Sequence, residues 1–273
     1  MSLLQALILG ALQGATEFLP VSSSGHLVIV PALLGWQSSL TFDVAVHWAT
    51  TLAVLLYFRR DWIALLTGAW QGLRHEGAPW RRPEGAMLCG IALATVPAML
   101  AGLVLEPYFE AALSGEPRSA ARWSALLLLA TGFILILGEQ RAGRARRVER
   151  VGPGRALAIG VAQACAILPG ISRSGTTIAS GLALGLDRES AARFSFLLAA
   201  PIITGAAILR AFDLAASGLA PGEASSLVAG FVAAFVVGYL AIGWLLGYLR
   251  HASLRAFAVY CWCFGLLALA LLA

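Results

Sequence analysis

The residues of this chain with the most chemical capacity stand where the surrounding sequence is most apolar. Gln13 to His26 reads Gln-Gly-Ala-Thr-Glu-Phe-Leu-Pro-Val-Ser-Ser-Ser-Gly-His. An amide, a carboxylate, hydroxyls and an imidazole are costly to place in hydrocarbon, so their presence there marks a functional site. Gln163 to Thr177 reads Gln-Ala-Cys-Ala-Ile-Leu-Pro-Gly-Ile-Ser-Arg-Ser-Gly-Thr-Thr and adds a guanidinium. Shifted by 150 positions without a gap, Gly10 falls on Gly160, Gln13 on Gln163, Ser22 on Ser172, Ser24 on Ser174 and Gly25 on Gly175. The chain reads as a single membrane domain of two related halves, about 1–138 and 151–273, joined by a basic segment, 139–155.

Each stretch has the composition of an anion site. A helix that starts after a Gly- and Ser-rich bend points backbone N–H groups and a positive dipole end at whatever lies in front of it. Arg173 stands among Ser172, Ser174, Gly175, Thr176 and Thr177. A planar, permanently charged fork ringed by hydroxyls fits phosphate or pyrophosphate better than carboxylate, because more oxygens must be satisfied. Gln13 and Glu17 are four apart and share one helical face. A carboxylate beside bound phosphate is repelled unless a cation lies between them. That predicts a divalent ion with oxygen ligands, Mg2+ or Ca2+, on Glu17 with Gln13. His26, next to Ser22, Ser23 and Ser24, supplies a group that titrates near neutrality. Nucleophile, proton carrier, metal carboxylate and Arg clamp together suffice for phosphoryl hydrolysis.

The elements that must position these residues are membrane helices. The 273 residues are 59% hydrophobic and 12% charged, with a mean hydropathy of +0.82, outside the range of water-soluble domains. All 19 basic residues are Arg, and the net charge of +5 is read by location, as topology, without implying nucleic-acid binding. The first apolar segment has no basic leader and contains Gln13 and Glu17, unlike a cleavable signal peptide. Cys89, Cys165, Cys261 and Cys263 lie in apolar segments without zinc-ligand spacing and read as small core residues.

Residues 3–18 form a helix that stops at Pro20, and a short helix from His26 ends at Leu34-Gly35. Neither reaches the length of about 20 residues that a bilayer requires. They are predicted to form a re-entrant hairpin with its tip at 21–25. Residues 157–168 and 175–186 repeat the pattern around a tip at Pro169 to Ser174. Full spans are predicted at 42–58, 87–105, 123–137, 194–209 with a kink at Pro201, 227–249 and 257–272, and an interfacial helix at 62–73 carrying Trp62 and Trp70. Trp48, Trp123, Trp244 and Trp262 are expected as interfacial anchors.

The Arg-rich segments set orientation. Arg59, Arg60, Arg74, Arg81 and Arg82, then Arg141, Arg144, Arg146, Arg147, Arg150 and Arg155, place two loops in the cytoplasm, with anionic-lipid contact a secondary role for the second run. The loop with Glu106, Glu110 and Glu116 and the one with Asp213 and Glu223 fall outside. The related hairpins then enter from opposite leaflets. The predicted fold class is an all-α polytopic membrane protein, an inverted-topology repeat of six transmembrane helices plus two re-entrant helical hairpins, with both termini outside.

Glu17-Phe-Leu-Pro-Val-Ser-Ser-Ser-Gly-His26 and Pro169-Gly-Ile-Ser-Arg-Ser-Gly-Thr-Thr177 resemble the two signature motifs of the bacterial undecaprenyl pyrophosphate phosphatase family, the bacitracin-resistance type, and segment order matches along essentially the whole chain. The resemblance implies hydrolysis of the C55 isoprenyl pyrophosphate to its monophosphate and inorganic phosphate, at the external side of the bacterial plasma (inner) membrane. It also implies recycling of the lipid that carries peptidoglycan precursors. Position by position, the family's acidic pair falls on Gln13 and Glu17. Many members have Glu at the first, so Glu17 becomes the main metal ligand and Gln13 a supporting one. Ser22, Ser23 and His26 take the hydroxyl and imidazole positions, Ser172, Arg173 and Thr177 the phosphate-binding ones. Ser23, activated by Glu17 or His26, is the expected nucleophile; His26 itself and a metal-bound water are the alternatives. Ser24 and Ser174 complete the substrate-binding set, and partners are the lipid substrate, membrane lipids and, as a possibility, a second copy of the chain.

A run of small residues such as Ser22 to Gly25 also serves close helix packing, and a lone buried His is often a satisfied core group. Asp43 and His47, four apart at the start of the first span, either extend the polar cavity or cap their helix and face the interface. The rival function is transport, an alternating-access carrier or flippase of a lipid phosphate or other anion, because broken helices in an inverted repeat suit that task. One asymmetry separates the two: the repeat counterparts of Glu17 and His26 are Ile167 and Thr176. A carrier needs only a binding site, whereas hydrolysis needs one reactive tip and one anion-clamping tip.

Overall fold

In hydrocarbon every backbone N–H and C=O must be paired within the chain, and this chain satisfies that demand with helices. The computed structural model describes residues 1–113, 116–142, 151–217 and 224–273; the side chains of 106, 107, 109–113 and 209–217 also lie outside the described set. The helices are α1 (Leu3–Phe18), α2 (Ser23–Leu34), α3 (Leu40–Tyr57), α4 (Arg59–Glu76), α5 (Pro83–Leu113), α6 (Pro117–Glu139), α7 (Pro153–Ala164), α8 (Arg173–Ala183), α9 (Arg188–Ser217), α10 (Ala224–Leu249) and α11 (Arg255–Leu272). Six segments have the length and hydropathy of membrane spans: Leu40–Tyr57, Pro83–Leu105, Pro117–Glu139, Arg188–Ile208, Ala224–Leu249 and Arg255–Leu272. They are the six expected from sequence, each within a few residues. Large side chains such as Leu103, Phe133, Leu240 and Leu266 face outward, as required where the solvent is lipid.

Polar contacts sort the helix ends into two groups. At one end Arg193 of α9 pairs with Asp61 of α4, and Arg250, just past α10, pairs with Glu189 of α9. At the same end Glu139 of α6 binds Arg188 of α9 and accepts from the backbone N–H of Leu254 before α11. At the other end Arg122 of α6 donates to the Leu272 carbonyl of α11, and Ser226 of α10 to that of Met1. Arg59, Arg60, Arg188, Arg250 and Arg255 therefore share one end. Arg144, Arg146, Arg147, Arg150 and Glu223 lie outside the described residues, as do the side chains of Glu106, Glu110 and Asp213.

The four short helices pack among the spans, α1 and α7 with one face outward through residues such as Leu4 and Val161. The Ser2 hydroxyl and Gln5 side chain cap the start of α1 reciprocally, and α1 packs along α10 through glycines. A Cβ on Gly14 would lie 2.5 Å from the Ala234 carbonyl oxygen, and one on Gly10 would strike the backbone of Gly230. This is close small-residue packing of the kind that holds helices together where the hydrophobic effect does not. Gly160 of α7 meets the backbone of Ala94 on α5 in the same way. α1 begins at the Met1–Ser226 end, whereas the approach to α7 passes α5 near its start, with Val151 against Gly90.

Boundaries differ from expectation where caps decide them. α2 starts at Ser23 and not at His26, because the Ser22 hydroxyl accepts from the Gly25 N–H; α8 starts at Arg173 because Ser172 does the same for Gly175. α2 ends on Gly35 in the left-handed region. The expected interfacial helix at 62–73 runs from Arg59 to Glu76, with Ile63, Leu66, Trp70 and Leu73 outward. Pro201 lies inside α9. Two expectations need correction. Only Cys261 is buried, while Cys165 and Cys263 are exposed on outward helix faces, because a thiol is apolar enough to meet lipid. Trp262 is packed into α6 against Gly132, donating to the Leu129 carbonyl, whereas Trp123 and Trp244 do project outward.

If glycine contacts hold α1 in register, Gly14→Val should overpack the α1–α10 interface, at a cost of roughly 1–3 kcal/mol, and lower the thermal unfolding midpoint in detergent. Gly102→Val, where a Cβ meets nothing within 4 Å, is the matched control and should unfold near the wild-type temperature.

Candidate active site

The chain breaks twice inside the bundle, and the breaks touch. α1 ends where Leu19 turns extended before Pro20, and Ser22 holds φ 68°, the one non-glycine residue with positive φ among those described. Such strain persists only where surroundings over-determine it, and it concentrates at functional sites. At the second break Gly170 has φ 107°, and a Cβ there would strike the Ser124 carbonyl of α6. Glycine is thus required twice over, by backbone region and by space. The bend is pinned by Thr131 of α6, buried completely, which donates to the Gly170 carbonyl at 2.8 Å and accepts from the Ser172 N–H at 3.0 Å. A Cβ on Gly25 would come within 3.1 Å of the Gly170 Cα, so the two tips lie backbone to backbone.

Three interactions cross between them. Arg173 Nη2 lies 3.2 Å from Glu17 Oε1 and 3.4 Å from its carbonyl oxygen. The Ser174 hydroxyl donates to the Leu19 carbonyl at 3.0 Å. The ion pair is largely removed from solvent, with 7% of the Glu17 and 14% of the Arg173 side chain exposed. On its other oxygen Glu17 accepts from the Ser23 hydroxyl at 2.6 Å and from Gln13 Nε2 at 3.0 Å. One carboxylate thus holds a hydroxyl, an amide and a guanidinium.

A cavity of about 180 Å3 opens on this group, lined by Glu17, Ser22, Ser23 and Ser24 on one side and Ser172, Arg173 and Ser174 on the other. Thr16 and His47 complete the polar lining, while Ile171, Ile202, Ile203 and Ala206 give it an apolar flank. A polar floor under an apolar wall suits a headgroup that carries a hydrocarbon tail. Arg173 Nη1 is buried without a hydrogen bond. An unpaired guanidinium donor is expensive to keep, and an anion's oxygen would satisfy it.

For a divalent cation, the donors are Glu17 and the Gln13 side-chain carbonyl, which is buried and makes no hydrogen bond. The described residues contain no cluster of three or more His, Cys, Asp or Glu. The fit is therefore to an ion that takes most of its ligands from phosphate and water, as Mg2+ does at phosphoryl sites.

Residues 6–267 match the family model described as "Bacitracin resistance protein BacA". The chain belongs to this family. Curated relatives include a protein of Rubrobacter xylanophilus, 43% identical over 276 residues that cover 100% of this chain and 99% of the relative. Proteins of Geobacter sulfurreducens (44% identical; 95% and 94% covered) and Anaeromyxobacter dehalogenans (45%; 95% and 88%) are similar to it over nearly the same span. All three relatives bear the name undecaprenyl-diphosphatase.

Within this family member, most residues singled out by sequence converge and three do not sit where expected. Ser22, Ser23, Ser24, Ser172, Ser174, Glu17 and Arg173 line one cavity. Gln13 is fully buried beneath Glu17 and supports it from behind. His26 turns away: Nδ1 lies 2.7 Å from the Ser22 carbonyl oxygen and Nε2 2.7 Å from the Tyr260 hydroxyl, with the ring stacked on Phe264 at 4.6 Å between centroids. Both nitrogens are engaged, and the imidazole braces the strained bend against α11. Thr177 points behind its helix to the Ser195 hydroxyl of α9, 2.6 Å away, and bonds the Arg173 carbonyl at 2.8 Å; it holds α8 and does not line the cavity. The partners that tertiary packing supplies, Tyr260 of α11 and Ser195 of α9, decide both cases, and spacing alone does not show them.

Thr131, Tyr260 and Thr16 were missed by sequence reasoning. Thr131 is a hydroxyl between the apolar runs 126–130 and 133–137 of its span, a faint sign of a buried acceptor nearby. Removing it should free one buried N–H, worth about 1–3 kcal/mol: Thr131→Val should lower the unfolding temperature and depress turnover, and Thr131→Ser should restore most of both in parallel assays.

Proposed function

We propose that this protein hydrolyses undecaprenyl diphosphate to undecaprenyl phosphate and inorganic phosphate, recycling the lipid carrier of cell-wall synthesis. The reaction is placed at the external face of the bacterial plasma (inner) membrane, on re-entrant hairpins α1–α2 and α7–α8 that enter an inverted repeat from opposite leaflets. Relatives along the whole chain carry the name of that activity. The opposite starting ends of the two hairpins and the Arg-rich end of the bundle favour this orientation. The transport alternative draws no support from those relatives.

One observation carries the chemistry. The Ser23 hydroxyl is 2.6 Å from the carboxylate that faces Arg173, so nucleophile, base and anion clamp meet in one cavity. Arg173 binds the terminal phosphate through the unpaired Nη1, and the starts of α2 and α8 present dipole ends to the same charge. Ser23 Oγ attacks the terminal phosphorus as its proton passes to Glu17 Oε2. The bridging P–O bond breaks, and its electron pair leaves with the lipid monophosphate. Water then cleaves the phosphoserine, and Glu17 returns the proton to Ser23. Gln13 and Glu17 would hold a divalent cation, Mg2+ or Ca2+. When bound, that ion neutralises phosphate charge and makes the terminal phosphorus more electrophilic. His26 maintains the bend that presents Ser23.

The test is phosphate release from undecaprenyl diphosphate by the purified protein. Ser23→Ala, Glu17→Gln and Arg173→Lys should each lower kcat by at least about 10²-fold with monodisperse elution retained, and a variant that turns over normally would contradict its assigned role. Gln13→Glu, which restores the acid common in the family, should remain active. Chelator should suppress release and added Mg2+ or Ca2+ restore it; undiminished activity in chelator would remove the metal from the scheme.

A further inference from the structure

The reaction above leaves two proton movements without a carrier: one to the departing lipid monophosphate, one from the water that cleaves the phosphoserine. Glu17 is occupied with the proton of Ser23. His26, the imidazole that the motif offers, is closed off on both nitrogens by the Ser22 carbonyl and the Tyr260 hydroxyl. Of the chain's other histidines, His75 ends the exposed α4 and His251 is exposed after α10. His47 alone among the described histidines lines the cavity. It comes from α3, outside both signature motifs.

Its geometry defines its state. Nδ1 lies 2.7 Å from the Asp43 carbonyl oxygen one turn earlier. A carbonyl only accepts, so Nδ1 carries the hydrogen and Nε2 is the nitrogen left for exchange with the cavity. A backbone acceptor on Nδ1 is a common way to fix the tautomer of a working imidazole. The charged groups sharing the cavity are Glu17 of α1 and Arg173 of α8; α9 faces it with Ile202, Ile203 and Ala206. The neighbouring α10 contains no charged residue, and Asp43 is one turn away on the same helix.

We propose that His47 is the proton carrier of the phosphatase reaction, acting through Nε2 as acid on the departing monophosphate and then as base on the attacking water. This rests on the assignment of Ser23 and Glu17 above. In the first half, as the bond from Ser23 Oγ to phosphorus forms, imidazolium Nε2–H gives its proton to the bridging oxygen, which receives the electrons of the broken P–O bond. In the second half, neutral Nε2 takes a proton from water as the water oxygen bonds to phosphorus. The P–Oγ electrons return to Ser23, which is reprotonated by Glu17. Protons and charge are restored after one turnover.

The assay is phosphate release by the full-length protein in detergent with Mg2+, with kcat and KM separated. His47→Gln should lower kcat by about 10²-fold with KM within about threefold of wild type, the pattern of a group that acts in the transition state. In His47→Ala, added imidazole should recover turnover, and substituted imidazoles should do so in order of their basicity. A structural role would not give that rescue. His47→Gln at near-wild-type kcat, or His47→Ala insensitive to imidazole while folded, overturns the proposal. Ser23→Ala is run beside them. Inactivity there with an active His47→Gln sinks the His47 role alone; activity in Ser23→Ala with a lost and rescued His47→Ala removes the serine and keeps the imidazole. Full activity in both removes the site reading itself.

Discussion

The structure depends on one ion pair placed where ion pairs are hardest to keep. Glu17 and Arg173 come from breaks separated by 156 positions in sequence and meet at 3.2 Å in the interior of a membrane protein. Removing one member of such a pair strands the other, at a cost of roughly 3–5 kcal/mol, so each charge requires its partner to remain in place. The surrounding bonds serve that requirement. Ser174 ties α8 to the Leu19 carbonyl, Thr131 ties the second bend to α6, and Gly25 and Gly170 let the backbones close to contact. An ion pair is nevertheless a poor use of binding capacity when no ligand is present. The buried Arg173 Nη1 and Gln13 Oε1 are left without hydrogen-bond partners, so the group around Glu17 keeps polar capacity that the chain itself does not use.

Long-range packing explains how the bends stay enclosed by protein. A broken helix in hydrocarbon exposes backbone groups that lipid cannot satisfy, so it must be walled by protein. α10 and α5 supply the walls for α1 and α7, and in each case glycine or alanine on both helices permits backbone contact. Larger residues would push the short helices away, and the bends with them. The aromatic bracket of Tyr260 and Phe264 around His26 performs a related task for Ser22. A residue at φ 68° relaxes unless something holds it, and here its carbonyl is bound to the imidazole and its hydroxyl to Gly25.

Much of this was legible in the sequence because cost is legible. Carboxylate, guanidinium and hydroxyls in an apolar context could have few explanations, and the six spans followed from hydropathy and charge alone. The cavity's Glu17, Ser23 and Arg173 were found that way. What the sequence concealed was partnership. His26 and Thr177 follow Ser23 and Arg173 by about one helical turn and so leave the helix on nearly the same face, yet their side chains are bound to Tyr260 of α11 and Ser195 of α9 and not to the cavity. Thr131 was concealed for another reason: it comes from a separate span, and only tertiary packing brings it to the bends; His47, on another span, was legible as a candidate for the polar cavity, and the packing of α3 is what puts it in the lining. Motif membership identifies a neighbourhood and does not distinguish its lining from its scaffolding.

The two tips share a construction and differ in chemistry. In each a serine hydroxyl caps the glycine three residues on, and a second serine lies 3.2–3.3 Å from the first. That common part makes a bend and a helix start, which is what binding an anion requires. The parts that differ carry the charge. Position 17 is Glu where 167 is Ile, and position 173 is Arg where 23 is Ser. Two identical tips would repel or ignore one another, having either two acids or two cations. Making one tip acidic and the other cationic lets them attract across the cavity, and the reaction proposed above uses the same asymmetry, with the nucleophile on one wall and the anion clamp on the other.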